Sequence, residues 1–348
     1  MFKKLSIVLA LLFTISVPLA GCGKKEELAK EINVYNWSEY LPQSVIDKFQ
    51  AETGIKVNYE TYDSNEQMLA KISAGNSGYD IAVASDYMVD VMIKQNLLQE
   101  FDLNNVPNFK NIGDEYKKAS YDPENKYSVA YMVGSAIIAV NKDKVTKKIT
   151  SVADLWDPSL KNSLVVLDDE RAIIGLALKK LGYSLNETDP AKLEQAKKEL
   201  IKLKPNIKAF DSASPKKLLI SGEATVGYVW NAEVALAKKD NPSIEAVYPK
   251  EGVYLWQDNF ILPKGGEHKK EAEMFINFLL RDDVSKMISD EFPYTNPNAA
   301  ARKLMDKSVT DNTIVYPTSD LVKNGEHLKD LGDTTQLYDK IWTEFKQQ

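Results

Sequence analysis

Hydrophobic and polar positions repeat with two periods along the chain from residue 32 onward. Short apolar runs with a period of two indicate strands, and apolar residues at i, i+3 and i+4 indicate amphipathic helices. The two kinds of element alternate, which favours mainly parallel sheets covered by helices, an α/β fold. The predicted strands span 32–36, 55–62, 79–84, 127–141, 164–167 and 225–230, with one more through Trp256.

Residues at the ends of the predicted helices support their boundaries. Gly54 follows the first helix, where glycine readily takes the left-handed conformation that ends a helix. Ser64 and Gln67 have the spacing of a capping box, and Asp189 precedes Pro190 at a first helical position. The predicted helices span 44–53, 172–181, 190–203, 215–221 and 269–280, with others after Ser64 and through Met88, and several short ones near the C-terminus.

The predicted strand through Trp256 carries an unusual set of side chains. Successive side chains of a strand point to opposite faces, so Tyr254, Trp256 and Asp258 share one face. Aromatic rings shield methylene groups and attract cations through their π faces, while a carboxylate pairs with an ammonium group. A core strand whose aspartate caps a neighbouring helix is the alternative.

Ligands of open α/β sheets bind outside the carboxyl ends of the strands, so the residues at those ends are informative. They are aromatic and acidic, and Arg171 is the only base among them. Neither a phosphate-binding glycine motif nor a basic cluster is present, and this chemistry indicates a cationic ligand. The four strand ends are Trp37-Ser38-Glu39-Tyr40, Ser85-Asp86-Tyr87, Asp168-Asp169-Glu170 and Trp230-Asn231.

Each of these ends also has a structural interpretation. Trp37 and Trp230 could belong to the core, and Tyr87 could pack at a helix start. The acidic triplet 168–170 could cap a helix, where its charge suits the helix dipole, or bind calcium. The repetition of the same residue types at several strand ends is what favours a binding site.

The N-terminus resembles a bacterial lipoprotein signal. Two lysines precede an apolar run over 5–18 that is too short to span a bilayer, and the run ends in Leu19-Ala20-Gly21-Cys22. We therefore expect a signal peptide over 1–22, lipidation of Cys22 and a tether over 23–30, with the protein anchored outside the cytoplasmic membrane. A cleaved signal with an incidental cysteine is the alternative.

Composition excludes several classes of function. Cys22 is the only cysteine, so the mature chain has no disulfide, cysteine-type zinc site or second thiol. With only two histidines, His268 and His327, we expect no catalytic triad, metal site or cofactor. The net charge of −6 and the absence of a basic stripe argue against a nucleic-acid partner.

Beyond these patterns, the chain resembles a known family, the bacterial spermidine/putrescine-binding proteins of ATP-driven polyamine uptake. The matching segments follow one another over essentially the whole mature chain. They are 35–40, 52–57, 151–156, 181–184, 230–231, 248–252, 276–281 and 297–304.

The resemblance implies a two-lobed periplasmic-binding-protein fold of type II, with the ligand held in the cleft between the lobes. It also implies a monomeric, non-enzymatic receptor that delivers a polyamine to an ABC permease and its ATPase. The expected lobes are 31–134 plus 259–305 and 135–258 plus 306–348, joined by hinges near 133–135 and 257–259.

The resemblance further implies which side chains hold the ligand. Aromatic rings surround the methylenes and acids take the ammonium groups, while the family pattern leaves Tyr254 to packing. The implied aromatic residues are Trp37, Tyr40, Tyr87, Trp230, Trp256 and Tyr294; the acids are Glu39, Asp169 and Asp258; Ser38 and Ser85 are polar neighbours.

Two positions depart from the family pattern. Ala172 stands where the pattern has a glutamate, and Leu328 stands where some members have a glutamine. Both changes remove a polar group for one end of a long polyamine, so we expect a preference for putrescine or a relaxed choice between putrescine and spermidine. The remaining alternatives are a receptor of the same fold for another cationic or neutral solute, and a secreted glycosidase with two carboxylates.

Overall fold

The computed structural model describes residues 28–75 and 77–348, in which ten strands join in one sheet. The strands are β1 (Glu31–Trp37), β2 (Lys56–Tyr62), β3 (Ile81–Ser85), β4 (Val129–Asn141), β5 (Leu164–Val166), β6 (Ile207–Phe210), β7 (Val226–Trp230), β8 (Ile244–Val247), β9 (Tyr254–Ile261) and β10 (Glu326–His327).

Helices cover the sheet, and short 3-10 turns connect several elements. The helices are α1 (Gln43–Thr53), α2 (Asn65–Ser73), α3 (Asp86–Lys94), α4 (Glu170–Lys180), α5 (Pro190–Leu203), α6 (Lys216–Ser221), α7 (Asn231–Asp240), α8 (Lys269–Leu279), α9 (Asp282–Glu291), α10 (Ala299–Arg302), α11 (Lys307–Thr310), α12 (Ser319–Val322) and α13 (Thr335–Gln347). None of these described helices is both long and apolar enough to cross a membrane.

The strand order shows two parallel halves joined by two long strands. The order is β2-β1-β3-β9-β4-β7-β5-β6, with β10 on β9 and β8 on β4. β1, β2 and β3 run parallel, and so do β5, β6 and β7. β9 and β4 are antiparallel to each other and to their neighbours β3 and β7. The expectation of a mainly parallel sheet therefore holds within each half.

The predicted helix ends agree with the structure. Gly54 has φ of 74° and donates its N–H to the carbonyl of Gln50 at 2.9 Å. The Ser64 hydroxyl accepts from the N–H of Gln67, and the Asp189 carboxylate accepts from the N–H of Ala191. Local side-chain chemistry thus fixes these boundaries, as the sequence indicated.

The sequence pattern missed β6, β8, β10 and α7. The three strands are at most four residues long, and such lengths give little periodicity. α7 buries the polar Asn231 and Glu233 together with apolar residues, so it shows no apolar stripe. This omission matters because α7 begins at the carboxyl end of β7.

The two long strands bring the halves together at a close contact. Gly134 of β4 pairs with Trp256 of β9. A Cβ atom at Gly134 would lie 2.3 Å from the Trp256 ring and 2.6 Å from the amide oxygen of Asn231. Glycine is therefore required where the indole crosses the neighbouring strand. The C-terminal α13 packs against α4 and α5; the lobe and hinge boundaries given above stay predictions.

Candidate functional site

A cavity lies where the parallel strands of the two halves end, beside the first part of β9. It contains about 640 Å³ of space free of atoms, part of it open to solvent. Residues that follow β1, β3 and β7 line it, as expected for ligand sites at the carboxyl ends of strands. We call this cavity the cleft; its lining is Trp37, Ser38, Glu39, Tyr40, Tyr62, Asp63, Asn65, Ser85, Asp169, Ser212, Ala213, Trp230, Glu233, Tyr254, Trp256, Asp258 and Tyr294.

The structure brings every predicted ligand-binding residue except Tyr87 into this lining. The Tyr87 hydroxyl donates to Glu66 at 2.8 Å, and the guanidinium of Arg171 lies 5.2 Å from the centre of the Tyr87 ring. Tyr87 lines a separate surface cavity together with His327. Because Tyr87 belongs to α3 and Arg171 to α4, the contact links the two halves of the molecule. Tyr87 is not part of the cleft lining, and its role in ligand binding stays a prediction.

Asp258 lies on β9, opposite Ser85 of β3 in the first half. The Tyr40 hydroxyl donates to its Oδ2 at 2.8 Å, and the Ser85 hydroxyl donates to its Oδ1 at 2.7 Å. Burial raises the pKa of Asp258 to about 7, although both hydrogen bonds favour the carboxylate. The neighbouring charges of Asp86 and Asp169 are negative and raise this pKa further.

Asp169 lies in the second half, at the start of α4. Its carboxylate accepts from the N–H of Ala172 at 2.8 Å and caps α4. The helix-cap interpretation of the acidic triplet is thus correct, and Asp169 lines the cleft as well. Burial raises the pKa of Asp169 to about 6, and the negative charge of Glu66 adds to this effect. Within residues 28–75 and 77–348, neither Asp169 nor Asp258 forms an ion pair.

Aromatic rings connect the two carboxylates. The Trp256 ring centre lies 5.9 Å from that of Trp230 and 5.2 Å from that of Tyr294, with interplanar angles of 83° and 67°. Tyr40 meets Tyr294 in the same way, with ring centres 5.4 Å apart. Edge-to-face pairs of this kind hold each other in place. These rings line the same cleft as Asp258 and Asp169.

Glu39 has an unusual backbone conformation and an unexpected partner. Its φ is 48°, in the left-handed region that residues other than glycine occupy at a cost. The ammonium of Lys216 donates to Glu39 Oε2 at 2.6 Å and to Glu233 at 3.0 and 3.2 Å. Glu39 follows β1 and Glu233 lies in the first turn of α7, so Lys216 joins acids of both halves.

Burial and charge act against each other in this group. Burial acts to lower the pKa of Lys216, but the hydrogen bond to Glu39 and the charge of Glu233 leave it raised. Burial acts to raise the pKa of Glu39, but Lys216, helped by the charge of Lys217 and a hydrogen bond from Ser214, outweighs burial and leaves it lowered. Glu233 is more deeply buried, so its pKa stays raised even beside the same lysine. Lys216 therefore remains an ammonium at neutral pH.

Sequence reasoning missed part of the lining. Glu233 stands one helical turn after Trp230, and following the β7 strand end into the next helix would have identified it. Tyr254, which the family pattern left to packing, has its ring 6.0 Å from Trp230 and lines the cleft. Residues in loops show no hydrophobic periodicity from which a position in the site could be predicted. The missed residues are Tyr62, Asp63, Asn65, Ser212, Ala213, Glu233 and Tyr254.

The two departures from the family pattern occupy buried positions outside the cleft lining. Ala172 is 1% exposed and Leu328 is 4% exposed. Glu170 does not take over the role of the absent glutamate, because it lines a neighbouring cavity with Glu66 and Asp339. Its Oε1 is buried without a hydrogen-bond partner among the described residues, and burial raises the pKa of Glu170 to about 9.

Two further sequence expectations concern the N-terminus and metal sites. The signal peptide over 1–22, with Cys22, and the tether residues 23–27 lie outside the described residues. In the described ranges no group of three or more histidine, cysteine, aspartate or glutamate side chains is arranged to hold a metal ion.

Comparison with known proteins identifies the family. The model of the bacterial extracellular solute-binding protein family matches residues 44–317. The spermidine/putrescine-binding periplasmic protein of Salmonella typhimurium is 43% identical over 314 residues, 90% of each chain.

Two solved structures have the same fold. The structure of a candidate spermidine/putrescine ABC transporter from Listeria monocytogenes superposes with a TM-score of 0.89 at 37% identity, covering 91% of this chain and 99% of that chain. The TpPotD lipoprotein of Treponema pallidum superposes with a TM-score of 0.80 at 31% identity, covering 90% and 99%. These likenesses confirm the two-lobed, type II periplasmic-binding-protein fold expected from the sequence. With its cleft at the strand ends of two α/β halves, the chain belongs to the bacterial extracellular solute-binding protein family.

Proposed function

We propose that the protein is the substrate-binding component of an ABC importer and that it captures putrescine, spermidine or both. One observation carries the proposal. Asp258 is a buried carboxylate and Asp169 a half-buried one; both line one aromatic-walled cleft, and neither forms an ion pair within the described residues. A buried carboxylate without a cation is costly, so both sites favour a positively charged ligand.

The chemistry of a diamine matches this arrangement. Putrescine carries an ammonium group at each end of an apolar chain. The lining contains no lysine, arginine or histidine among the described residues, and the ammonium of Lys216, which reaches the cleft, is bound to Glu39 and Glu233. Asp258 and Asp169 pair with the ammonium groups, while Trp230, Trp256 and Tyr294 cover the methylenes.

Ligand contacts to both halves provide the energy for closing the lobes. Asp258, Tyr40 and Ser85 belong to one side of the cleft, and Asp169 and Trp230 to the other. A ligand that reaches both sides stabilises the closed state over the open one. We place the hinges near 133–135 and 257–259, in the strands β4 and β9 that pair with each other. Tryptophan fluorescence should therefore change on binding.

The cellular role rests on the N-terminus and on the relatives. Lipidation at Cys22 holds the protein at the outer face of the cytoplasmic membrane, where it passes its ligand to a permease and the associated ATPase. The Treponema relative is described as a lipoprotein and the Salmonella relative as a spermidine/putrescine-binding periplasmic protein. The protein acts as a monomer, and binds without turnover and without a cofactor.

Within the polyamines, we propose that putrescine is at least as good a ligand as spermidine. Two unpaired carboxylates match two ammonium groups, and Ala172 and Leu328 provide no polar side chain for a third. A tenfold preference needs only about 1.4 kcal/mol. One charge-assisted hydrogen bond is worth about 1.5–3 kcal/mol, so a single contact decides the order.

Isothermal titration calorimetry tests the proposal with putrescine, cadaverine, spermidine, spermine and neutral sugars. We expect saturable binding of the polyamines, no binding of the sugars and no chemical change in the recovered ligand. Binding of a sugar in preference to every amine, or turnover of a glycan, would contradict the proposal.

A further inference from the structure

The cleft lining contains three more acids, Asp63, Glu39 and Glu233, and the chain itself supplies a cation for the last two. The main one is Lys216, and the exposed Lys217 lies farther off, 3.7 Å from Glu39 Oε1. Lys216 Nζ lies 2.6 Å from Glu39 Oε2 and 3.0 Å from Glu233 Oε1. The backbone N–H of Lys216 also donates to Glu233 at 3.3 Å. The lysine side chain is 18% exposed and that of Glu233 is 6% exposed, so solvent screens this contact only in part.

The lysine head group is chemically the same as the end of a polyamine. It is a primary ammonium on an alkyl chain, and it meets two carboxylates that both line the cleft. A ligand ammonium at this end of the cleft must displace Lys216 from the acids or lie beside another positive charge. Because Lys216 is tethered to the chain, it is present at a high effective concentration.

We propose that Glu39 and Glu233 form a third ammonium subsite, and that Lys216 occupies it and so selects diamines over triamines. The inference rests on the proposed function, because the subsite is defined for a polyamine ligand. Asp258 and Asp169 take the two ammonium groups of a diamine, and the third group of spermidine finds its carboxylates already paired. Lys216 is thus a specificity-determining residue that does not itself touch the bound diamine.

Position supports this role over a purely structural one. Lys216 begins α6 in the second half, while Glu39 follows β1 in the first half. If Lys216 had only a structural role, its ion pair with Glu233, on the same half of the molecule, would be sufficient. Glu39 instead adopts a φ of 48° and lies within 2.6 Å of this ammonium. The bridge therefore lies across the cleft, where a long ligand would extend.

The test is calorimetry of the Lys216→Met variant with putrescine and spermidine. Methionine keeps the length of the side chain and removes its charge. We expect the ratio of spermidine affinity to putrescine affinity to rise at least fivefold over that of the unsubstituted protein. Lys238→Met, which removes an exposed lysine of α7, is the matched control and should leave the ratio within twofold.

The possible results of this experiment distinguish a failure of the third-subsite proposal from a failure of the proposed function. A fivefold or larger rise in the ratio supports the subsite, and a smaller change in a protein that binds polyamines overturns it. If the unsubstituted protein binds no polyamine, the proposed function fails first and the subsite with it. Melting temperature measured without ligand verifies folding; if the methionine variant does not fold, Lys216→Gln is judged by the same ratio.

Discussion

The four main acids of the cleft form two pairs that differ in how their charge is balanced. Asp258 is buried, Asp169 is half-buried, and both are held by neutral donors, the hydroxyls of Tyr40 and Ser85 and the N–H of Ala172. Glu39 and Glu233 share the ammonium of Lys216. The lining contains a fifth acid, the exposed Asp63, so counting acids alone would suggest five places for cations. Within the described residues Glu39 and Glu233 have a lysine partner, whereas Asp258, Asp169 and Asp63 form no ion pair, although the charge of Arg171 acts on Asp169.

The largest effect should come from the first pair. We expect Asp258→Asn to weaken putrescine binding by about 100-fold, because hydrogen bonds to charged groups are worth about 1.5–3 kcal/mol and each 1.4 kcal/mol is tenfold. Calorimetry measures the loss. The control is Asp320→Asn, since the Asp320 side chain is 93% exposed on the surface. Binding that stays within threefold in Asp258→Asn would exclude this carboxylate as an ammonium partner.

A smaller loss should follow from Asp169→Asn, by about tenfold. Asp169 already accepts from the N–H of Ala172, and the N-terminus of α4 offsets part of its charge. Asparagine caps a helix about as well as aspartate, so the melting temperature of the ligand-free protein should change little. A large drop in melting temperature with unchanged affinity would assign Asp169 to the helix cap alone.

The second pair should respond least. We expect Glu39→Gln to weaken putrescine binding by no more than about threefold, because exposed or already compensated charges contribute about 0–1 kcal/mol. Fluorescence titration and calorimetry should agree on this value. A loss as large as that of Asp258→Asn would show that Glu39 binds ligand directly and that the two pairs do not differ in kind.

The sequence identified Asp258 and Asp169 because both lie in recognisable secondary-structure patterns. Asp258 shares a strand face with Trp256, and Asp169 follows a strand and precedes a helix. It found Glu39 as an acid at a strand end, but not its partner. Lys216 and Glu39 are separated by 177 residues, and no local pattern relates them.

The fold shows the same difference between features that local sequence patterns predict and features that long-range contacts determine. Capping residues and apolar stripes predicted α1, α2 and α5 within a residue or two. The antiparallel passage of β9 and β4 between the halves was not predicted, because strand direction is set by tertiary pairing rather than by periodicity. The position of the Tyr87 ring was not predicted for a related reason: Tyr87 follows the predicted strand end, but its ring contacts Arg171 of the other half, and no local pattern relates the two residues.

The unpaired aspartates also make a prediction about protons. Their pKa values of about 7 and about 6 lie above the ordinary value of 3.8, so each carboxyl holds a proton more tightly in the folded, ligand-free protein than in the unfolded chain. This contribution to stability is present at low pH and is lost as the pH rises through 6 and 7. A bound ammonium favours the carboxylate form, so binding must release protons and strengthen as the pH rises.

Calorimetry of putrescine binding at pH 6.5 in buffers of different ionisation enthalpy tests the central claim most directly. With pKa values of about 7 and about 6, we expect release of about one proton per putrescine, falling toward zero above pH 8. Asp258→Asn should remove most of that release. Binding at pH 6.5 with no proton release in the unsubstituted protein would contradict the pairing of buried aspartates with ligand ammonium groups.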